Sequence, residues 1–282
     1  MEFFLGVDGG GTGCRARLVD ASGQVLGEGQ AGPANISSAP DTALASIMDC
    51  AAQAMQGIDP ARVRACLGLA GANAAGTAGW LSPRLPFGES RIVSDALTTL
   101  QGALGGQDGI IAAMGTGSVF AGLARGRYMQ VGGWGFQLGD QGSGAALGRA
   151  RIARALMAID GLVPMTPLLQ SALDRIGPPD AAIGFALSAS PAQFGSFAPD
   201  LVQGEDPAIE PILHEAAPGV IAHVAHLQRA LGRDRLLPVV WLGGLGPLWR
   251  RTLGHHWPVL DARGNALDGA TAMARQMQEN RA

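Results

Sequence analysis

The chain contains no lysine, and all 20 of its basic residues are arginine. This absence excludes two kinds of site, because the phosphate-binding P-loop requires its lysine and a Schiff base needs an amine. Acidic residues number 23, so the formal net charge is −3. A weakly acidic chain does not offer the basic surface that binds nucleic acid or anionic membranes. We therefore expect neither as a partner.

Cysteine and histidine are also scarce. The three cysteines, Cys14, Cys50 and Cys66, lie far apart and form no Cys-x-x-Cys pair, so we expect reduced, structural thiols. The pairs His255-His256 and His223/His226 lack neighbouring cysteine or carboxylate ligands, which leaves metal binding as a minor alternative to helix-face or surface positions. The spacing shows no Ser-His-Asp arrangement. The sequence therefore indicates neither a zinc centre nor a serine-hydrolase triad.

Long apolar runs are absent too. No stretch reaches the length of a transmembrane helix, and the N-terminus lacks the pattern of a signal peptide. Hydrophobic residues make up 47% of the 282 residues, which supports a substantial core in one or two domains. We expect a soluble cytoplasmic protein.

Glycine, by contrast, is abundant, and an early cluster follows Asp8. An apolar run over residues 3–7 leads into Asp8, four of the next five residues are glycine, and residues 15–19 then alternate polar and apolar. This pattern predicts two strands joined by a glycine turn, whose backbone can adopt positive φ and direct N–H groups at an anion. Thr12 adds a hydroxyl donor, and Asp8 is placed to hold a divalent metal. Such turns also occur in plain hairpins, so this turn alone leaves both interpretations open.

A second turn of this kind favours phosphate binding. Residues 110–114, the turn Gly115-Thr116-Gly117-Ser118 and residues 119–123 repeat the order of strand, small-residue turn and strand. Two such hairpins predict an internally duplicated fold with nucleotide phosphates held between its halves.

Two further loops carry a carboxylate. Asp95 ends the strand that starts at Arg91 and precedes a predicted helix, so it caps that helix, faces the crevice where α/β sheets bind ligands, or does both. Asp140 lies in a loop, residues 132–144, whose many glycines are hard to explain by packing alone. A helix that begins at Ser143 would favour an anionic or hydroxyl-rich ligand near this loop.

Elsewhere the pattern predicts ordinary core elements. Asp41 is expected to cap a helix that ends at Gly57, and Pro207 to start one that runs to about Gly232, with a disturbance allowed at Pro218. Residues 236–242 predict a buried strand that ends at a close-approach turn, Gly243-Gly244.

Taken in order, these loops resemble the sugar-kinase/heat-shock-70/actin superfamily and, within it, the N-acetylglucosamine kinase and BadF-type ATPase family. The matching pieces are residues 5–12, 94–96, 115–118, 139–144 and 243–244, which span nearly the whole chain. Residues 12–17, 34–36 and 160–168, with Gln141 where relatives often have glutamate, look most like bacterial glucosamine kinases.

The resemblance implies a duplicated actin-like (ribonuclease H-like) α/β ATPase fold. It implies an N-terminal domain over residues 1–107, onto which a C-terminal helix at about 268–282 can pack back, and a C-terminal domain over residues 108–267. ATP and the sugar are expected in a cleft that closes between them. A homodimer is left open.

The resemblance also implies an ATP-dependent kinase that phosphorylates the 6-hydroxyl of glucosamine, with Mg²⁺ and ATP as cofactor and co-substrate. Asp95 would be the general base and Asp8 would organise Mg²⁺. The implied ATP-binding residues are Gly9, Gly10, Gly11, Thr12, Gly115, Thr116, Gly117, Gly243 and Gly244. The implied sugar-binding residues are Asn35, Gly71, Asp95, Asp140 and Gln141. Backbone N–H groups and Mg²⁺ can supply the charge stabilisation without lysine.

Several alternatives remain at this point. N-acetylglucosamine is the second acceptor, because the effect of Gln141 on a free 2-amino group does not follow from residue type. A dehydratase-activating ATPase would need cysteines for an iron–sulfur cluster, which Cys14, Cys50 and Cys66 do not offer. A zinc-containing ROK kinase would show a local Cys/His set. A nucleotide-switched binding protein would keep the phosphate turns without needing Asp95, Asp140 and Asn35 together, so their joint presence favours the kinase.

Overall fold

The structure is a computed structural model that describes residues 3–279. The chain divides into two compact units. The first contains the described residues up to Gln107 and those from Asp261 onward, and the second contains Asp108–Leu260. The chain thus re-enters the first unit at Asp261, seven residues before the boundary expected from the sequence.

The first unit is built on a five-stranded sheet in the order β3-β2-β1-β4-β5. Its strands are β1 (Phe3–Gly9), β2 (Cys14–Asp20), β3 (Val25–Ala31), β4 (Val63–Leu69) and β5 (Glu89–Ser94). Its helices are α1 (Pro40–Met55), α2 (Thr77–Leu81), α3 (Asp95–Leu104) and α11 (Ala266–Glu279). The central strand β1 runs antiparallel to β2 and parallel to β4. The carboxyl ends of β1, β4 and β5 therefore lie at one edge of the sheet.

Helices cover both faces of this sheet. α1 packs against β2 and β3, and α11 packs against α3, β1 and β4. Glycine permits the closest approaches: a Cβ on Gly29 would lie 2.0 Å from the carbonyl oxygen of Cys50. The three cysteines are free and buried. The last expected residues of the C-terminal helix, 280–282, lie outside the described residues.

The second unit repeats the arrangement in a four-stranded sheet, β8-β7-β6-β9. Its strands are β6 (Gly109–Met114), β7 (Ser118–Ala124), β8 (Arg127–Gly132) and β9 (Val239–Leu242). Its helices are α4 (Gly144–Ile159), α5 (Pro167–Ile176), α6 (Ala181–Ser188), α7 (Pro191–Gly195), α8 (Pro199–Gln203), α9 (Ile209–Leu227) and α10 (Gly246–Leu253). β6 pairs antiparallel with β7 and parallel with β9, as β1 does with β2 and β4. The predicted duplication of an α/β fold is therefore confirmed.

Two local predictions need correction, and one strand was not predicted. Asp41 does not cap α1: the N-cap is Ala39, and Asp41 lies inside the first turn. The helix expected from Pro207 begins at Ile209, continues through Pro218, and changes to a π-helical turn over Gln228–Gly232. The sequence did not predict β8, because this half-exposed edge strand has no regular apolar alternation and is recognised only by its pairing with β7.

Candidate active site

The first glycine turn joins β1 to β2. Gly9 is fixed by packing, because a Cβ there would lie 2.6 Å from Leu69 Cδ2 and 2.9 Å from Ala34 Cβ. The Gly10 N–H donates to Gly13 O at 2.9 Å, and Gly10 O accepts from the Ala34 N–H at 2.8 Å. The expectation of positive φ is wrong for this turn, since none of residues 9–13 adopts it.

The tip of this turn is open. Gly11 and Thr12 are exposed, and a Cβ on Gly11 would meet nothing within 4 Å. Within residues 3–279 neither backbone N–H donates a hydrogen bond to the protein. These two N–H groups and the Thr12 hydroxyl can therefore bind an anion without displacing an internal contact.

Asp95 is the first residue of α3, which follows β5. The cap of this helix is Ser94, whose hydroxyl accepts from the Leu97 N–H at 3.3 Å. Asp95 is thus not the N-cap, which corrects that alternative, and it lies in the first turn of the helix. Its Oδ1 accepts a hydrogen bond of 2.8 Å from the Ala96 N–H. Burial raises the pKa of Asp95, and the nearby negative charge of Asp8 raises it further, against a lowering by the Ala96 N–H.

The Asp8 carboxylate forms an ion pair with an arginine that the sequence analysis did not identify. Arg15 lies opposite Asp8 in the β1–β2 register, and its Nη2 donates to Asp8 Oδ2 at 2.5 Å. The Asp8 side chain is 16% exposed and the Arg15 side chain 49% exposed. The signal was available in principle, because residues that flank a hairpin turn symmetrically face each other across the two strands.

Asn35 and Gly71 lie together in the first unit. Asn35 Oδ1 accepts from the Ser37 N–H and hydroxyl, at 3.0 and 2.9 Å, and from the Ser38 N–H at 3.2 Å. Gly71 has φ +83°, and a Cβ there would lie 2.8 Å from Asn35 Oδ1. The oxygen of Asn35 therefore shapes its own loop, while its amide N–H₂ has no protein acceptor among residues 3–279 and can donate to a ligand.

The second glycine turn, between β6 and β7, is held against the start of α4. The Gly115 N–H donates to Gly117 O at 2.9 Å, and the Gly144 and Ala145 N–H groups donate to the carbonyls of Gly115 and Thr116 at 2.7 and 3.1 Å. The Ser143 hydroxyl accepts from the third N–H of the helix. The start of α4 is where the sequence placed it, but its first N–H groups bind the protein itself, so the expected ligand at this helix terminus is not supported.

Asp140 contacts this second turn. It is 6% exposed, adopts φ +60°, and a Cβ on Gly117 would lie 2.9 Å from its Oδ2. Burial raises the pKa of Asp140, and the Ser118 N–H lowers it. Gln141 turns towards α9, where a Cβ on Gly219 would lie 2.9 Å from its Cγ. The two neighbouring residues therefore occupy different surroundings.

A cavity of about 460 Å³ opens beside the second turn. Gly243 follows β9, has φ +80° and lies close to this turn. A Cβ on Gly243 would lie 2.4 Å from the carbonyl oxygen of Met114. The lining residues are Gly115, Thr116, Gly144, Gly195, Ala198, Pro199, Val202, Gln203, Gly244 and Leu245. None of them is charged. Sequence reasoning missed the wall formed by α7 and α8, because short helices joined by proline-containing loops carry no motif.

The described part of the chain has no ready-made metal site. Residues 3–279 contain no group of three or more His, Cys, Asp or Glu side chains that could hold a metal ion. The same residues include no helix that is both long and apolar enough to span a membrane. The acidic groups are instead distributed, with Asp8 and Asp95 in the first unit and Asp140 in the second.

Comparison with known proteins agrees with this architecture. The sequence model of the BadF/BadG/BcrA/BcrD ATPase family matches residues 5–246. Glucosamine kinase GspK of Vibrio cholerae is 31% identical over 291 residues, which cover 99% of this chain and 98% of that protein.

Two solved structures share the fold. A candidate N-acetylglucosamine kinase from Chromobacterium violaceum superposes with a TM-score of 0.85 at 32% identity, covering 97% of this chain and 99% of that one. A ROK family glucokinase from Streptomyces griseus, solved with glucose and AMPPNP, has a TM-score of 0.57 at 21% identity over 97% and 99% of the two chains. The latter likeness concerns the fold alone.

Proposed function

Because the chain belongs to the BadF/BadG/BcrA/BcrD ATPase family, we propose that it is an ATP-dependent amino-sugar kinase whose acceptor is the 6-hydroxyl of glucosamine. The observation that carries the proposal is the position of Asp95. This carboxylate is largely buried, is not the helix cap, and lies near Asp8 at the carboxyl edge of the first sheet. Full-length similarity to a glucosamine kinase supports the choice of acceptor.

Asp95 acts as the general base in this proposal. It accepts the proton of the sugar hydroxyl as that oxygen attacks the terminal phosphorus of ATP, and the bond to the ADP leaving oxygen breaks. A carboxylate with a raised pKa is a stronger base than an ordinary aspartate. Its pKa also lies closer to the working pH, where a general base is most effective. Burial and the charge of Asp8 supply that shift.

Asp8 is the residue that fits a magnesium ion brought in by ATP. A lone carboxylate suits this ion, because Mg²⁺ is typically held by one or two carboxylates together with substrate phosphates and water. The absence of a three-ligand cluster among residues 3–279 agrees with an ion that arrives with its nucleotide rather than one held by the protein. When bound, Mg²⁺ would neutralise charge on the phosphates.

Nucleotide binding is divided between the glycine turns and the uncharged cavity. In the first turn, Gly9–Thr12, the Gly11 and Thr12 N–H groups are free to donate to phosphate oxygens, and in the second turn, Gly115–Gly117, the N–H groups of Thr116 and Gly117 form the corresponding set. The cavity beside Gly243 and Gly244 takes the adenosine. Its neutral lining suits a base and a ribose, which carry no charge, while the exposed turn residues face the phosphates.

Sugar recognition falls to five residues in this proposal. The free amide of Asn35 donates to a hydroxyl oxygen, Gly71 leaves room beside it, and Asp95 holds the reacting hydroxyl. Asp140 accepts from sugar hydroxyls, and Gln141 contributes a neutral amide from the next position in the chain, although its Cγ packs towards Gly219 of α9. N-acetylglucosamine is the competing acceptor, favoured by the likeness to a candidate N-acetylglucosamine kinase.

The decisive experiment measures ADP release from Mg·ATP with glucosamine, N-acetylglucosamine, glucose or no sugar. We expect stimulation by glucosamine, loss of that stimulation in Asp95→Asn, and retained ATP binding in this variant. Asp41→Asn is the matched control, because Asp41 also lies in the first turn of a helix but is exposed and outside the site. It should behave as the parent.

Each outcome points to one conclusion. Stimulation by the acetylated sugar alone keeps the kinase and changes the acceptor. ATP binding without stimulation by any sugar would identify a nucleotide-switched binding protein instead. Full turnover by Asp95→Asn would remove Asp95 from the mechanism.

A further inference from the structure

Arg15 is the cation placed at the first glycine turn of a chain that has no lysine. Arg15 is the first exposed residue of β2 and lies directly across from Asp8. It donates a hydrogen bond to the Asp8 carboxylate, which is proposed to bind the metal ion of Mg·ATP. Arg17, two residues further along the same strand, is fastened by Glu28 at 2.6 Å and Asp268 at 2.5 Å. Of these two arginines, Arg15 is the one paired with Asp8, the residue that begins the connection into the turn.

The Arg15 guanidinium can leave Asp8 and bind another anion. The Arg15 side chain is 49% exposed and the Asp8 side chain 16% exposed, so the guanidinium lies at the surface and can change partners without crossing the core. Of its five N–H donors, one donates a hydrogen bond to the protein within residues 3–279. The others remain available to a ligand at the adjacent turn, where the Gly11 and Thr12 N–H groups are also free.

A cation beside Asp8 favours the approach of phosphate to this turn. Asp8 and Asp95 are close enough for the charge of Asp8 to raise the pKa of Asp95. A polyphosphate that approaches the same turn meets this negative charge, and like charges at short range repel unless a cation intervenes. Backbone N–H groups carry only partial charges, whereas arginine binds phosphate with charge-assisted, often bidentate hydrogen bonds.

We propose that Arg15 changes partners when Mg·ATP binds: its guanidinium leaves Asp8, which becomes free for the metal ion, and donates instead to phosphate oxygens of the nucleotide. This inference rests on the proposed function for its nucleotide but not for its sugar. Arg15 thereby keeps Asp8 neutralised in the nucleotide-free protein and becomes a phosphate ligand in the complex.

Calorimetric nucleotide binding in the presence of EDTA tests the exchange without relying on catalysis. Arg15→Gln should weaken metal-free ATP binding by about 10- to 100-fold, since hydrogen bonds to charged groups contribute roughly 1.5–3 kcal/mol and 1.4 kcal/mol is tenfold. AMP, which lacks the outer phosphates, should bind as before. Arg15→Lys should retain part of the affinity, and Arg17→Gln, with the same charge change on the same strand, should retain all of it.

Asp8→Asn separates partner exchange from simple positioning. It should strengthen metal-free ATP binding, because it releases Arg15 and removes a repulsive charge, and weaken binding of Mg·ATP. If Arg15 only neutralised and positioned Asp8, Arg15→Gln would lower metal-free ATP affinity when Asp8 is present but not in the Asp8→Asn background, and that result would overturn the inference. Circular dichroism confirms that each variant is folded.

The two proposals fail in different ways. A protein that binds ATP but transfers phosphate to no sugar contradicts the kinase while the Arg15 measurement still stands. A protein that phosphorylates glucosamine, with metal-free ATP affinity the same in Arg15→Gln as in the parent, keeps the kinase and refutes the exchange.

Discussion

Replacing Arg151 by methionine tests how the nucleotide cavity is supported. Arg151 lies on α4, is fully buried, and makes five hydrogen bonds. Two reach the carbonyl oxygen of Leu168, one reaches that of Phe197, and the others reach Ser171 Oγ and Asp200 Oδ2. Methionine fills much of the same space but can donate none of these bonds. Because residues 198 and 199 line the cavity, the substitution loosens its wall.

The energetic consequence follows from what is left behind. The two carbonyls lose their donors, and each unsatisfied buried acceptor costs about 1–3 kcal/mol. The Asp200 side chain is 54% exposed, so its carboxylate returns to water at little cost. Ser171 Oγ keeps its own donation to Leu168 O at 3.0 Å, which partly repairs that carbonyl. We expect a loss of about 2–5 kcal/mol in the free energy of unfolding of the second unit.

Urea denaturation measures this loss, and Arg154→Met is the matched control. Arg154 lies on the same helix but makes one ion pair, 3.2 Å from Glu215, whose side chain is 66% exposed. Exposed pairs contribute less than about 1 kcal/mol, so this variant should remain close to the parent. In the folded protein, ATP affinity should fall in Arg151→Met and stay constant in Arg154→Met. Equal stability of the two variants would refute the reasoning.

Three further outcomes are expected. The rate of the parent should fall on acidification at a higher pH than for an ordinary aspartate, because catalysis needs ionised Asp95 and burial raises its pKa; a pH profile of kcat/KM measures this, and an acid limb at the ordinary value would contradict it. Because the pKa of Asp95 is raised in the folded protein, the native state loses stability as pH rises through that folded pKa. Asp95→Asn should therefore melt at a higher temperature than the parent near about pH 7 but not near about pH 4, close to the unfolded aspartate pKa. The same difference in melting temperature at both pH values would contradict this prediction. Gly243→Ala should weaken ATP binding, because its Cβ would lie 2.4 Å from Met114 O, whereas Gly106→Ala, at a similar φ of +82° with nothing within 4 Å, should change stability alone; equal ATP affinity in both would remove the contact argument.

Much of this protein is determined by local sequence. The absence of lysine excludes whole classes of phosphate and amine chemistry without any coordinates. Buried runs such as residues 3–7 and 110–114 form strands because period and apolarity are properties of the chain itself, and the glycines after them mark the turns. The repeated order of strand, turn and strand was therefore enough to predict the duplicated fold.

The tertiary structure decided what depends on contacts with other residues and elements. β8 exists because β7 offers it hydrogen bonds, since its own residues have no regular alternation. Ser94 rather than Asp95 caps α3. Both residue types are common N-caps, so the sequence alone does not tell which of the two caps the helix. The ion pair of Arg15 with Asp8 depends on strand register, and the cavity wall of α7 and α8 depends on how distant segments pack. Periodicity specifies each element, whereas register and packing arise from contacts between elements, and those contacts are what bring a carboxylate, a cation and an open turn to one place.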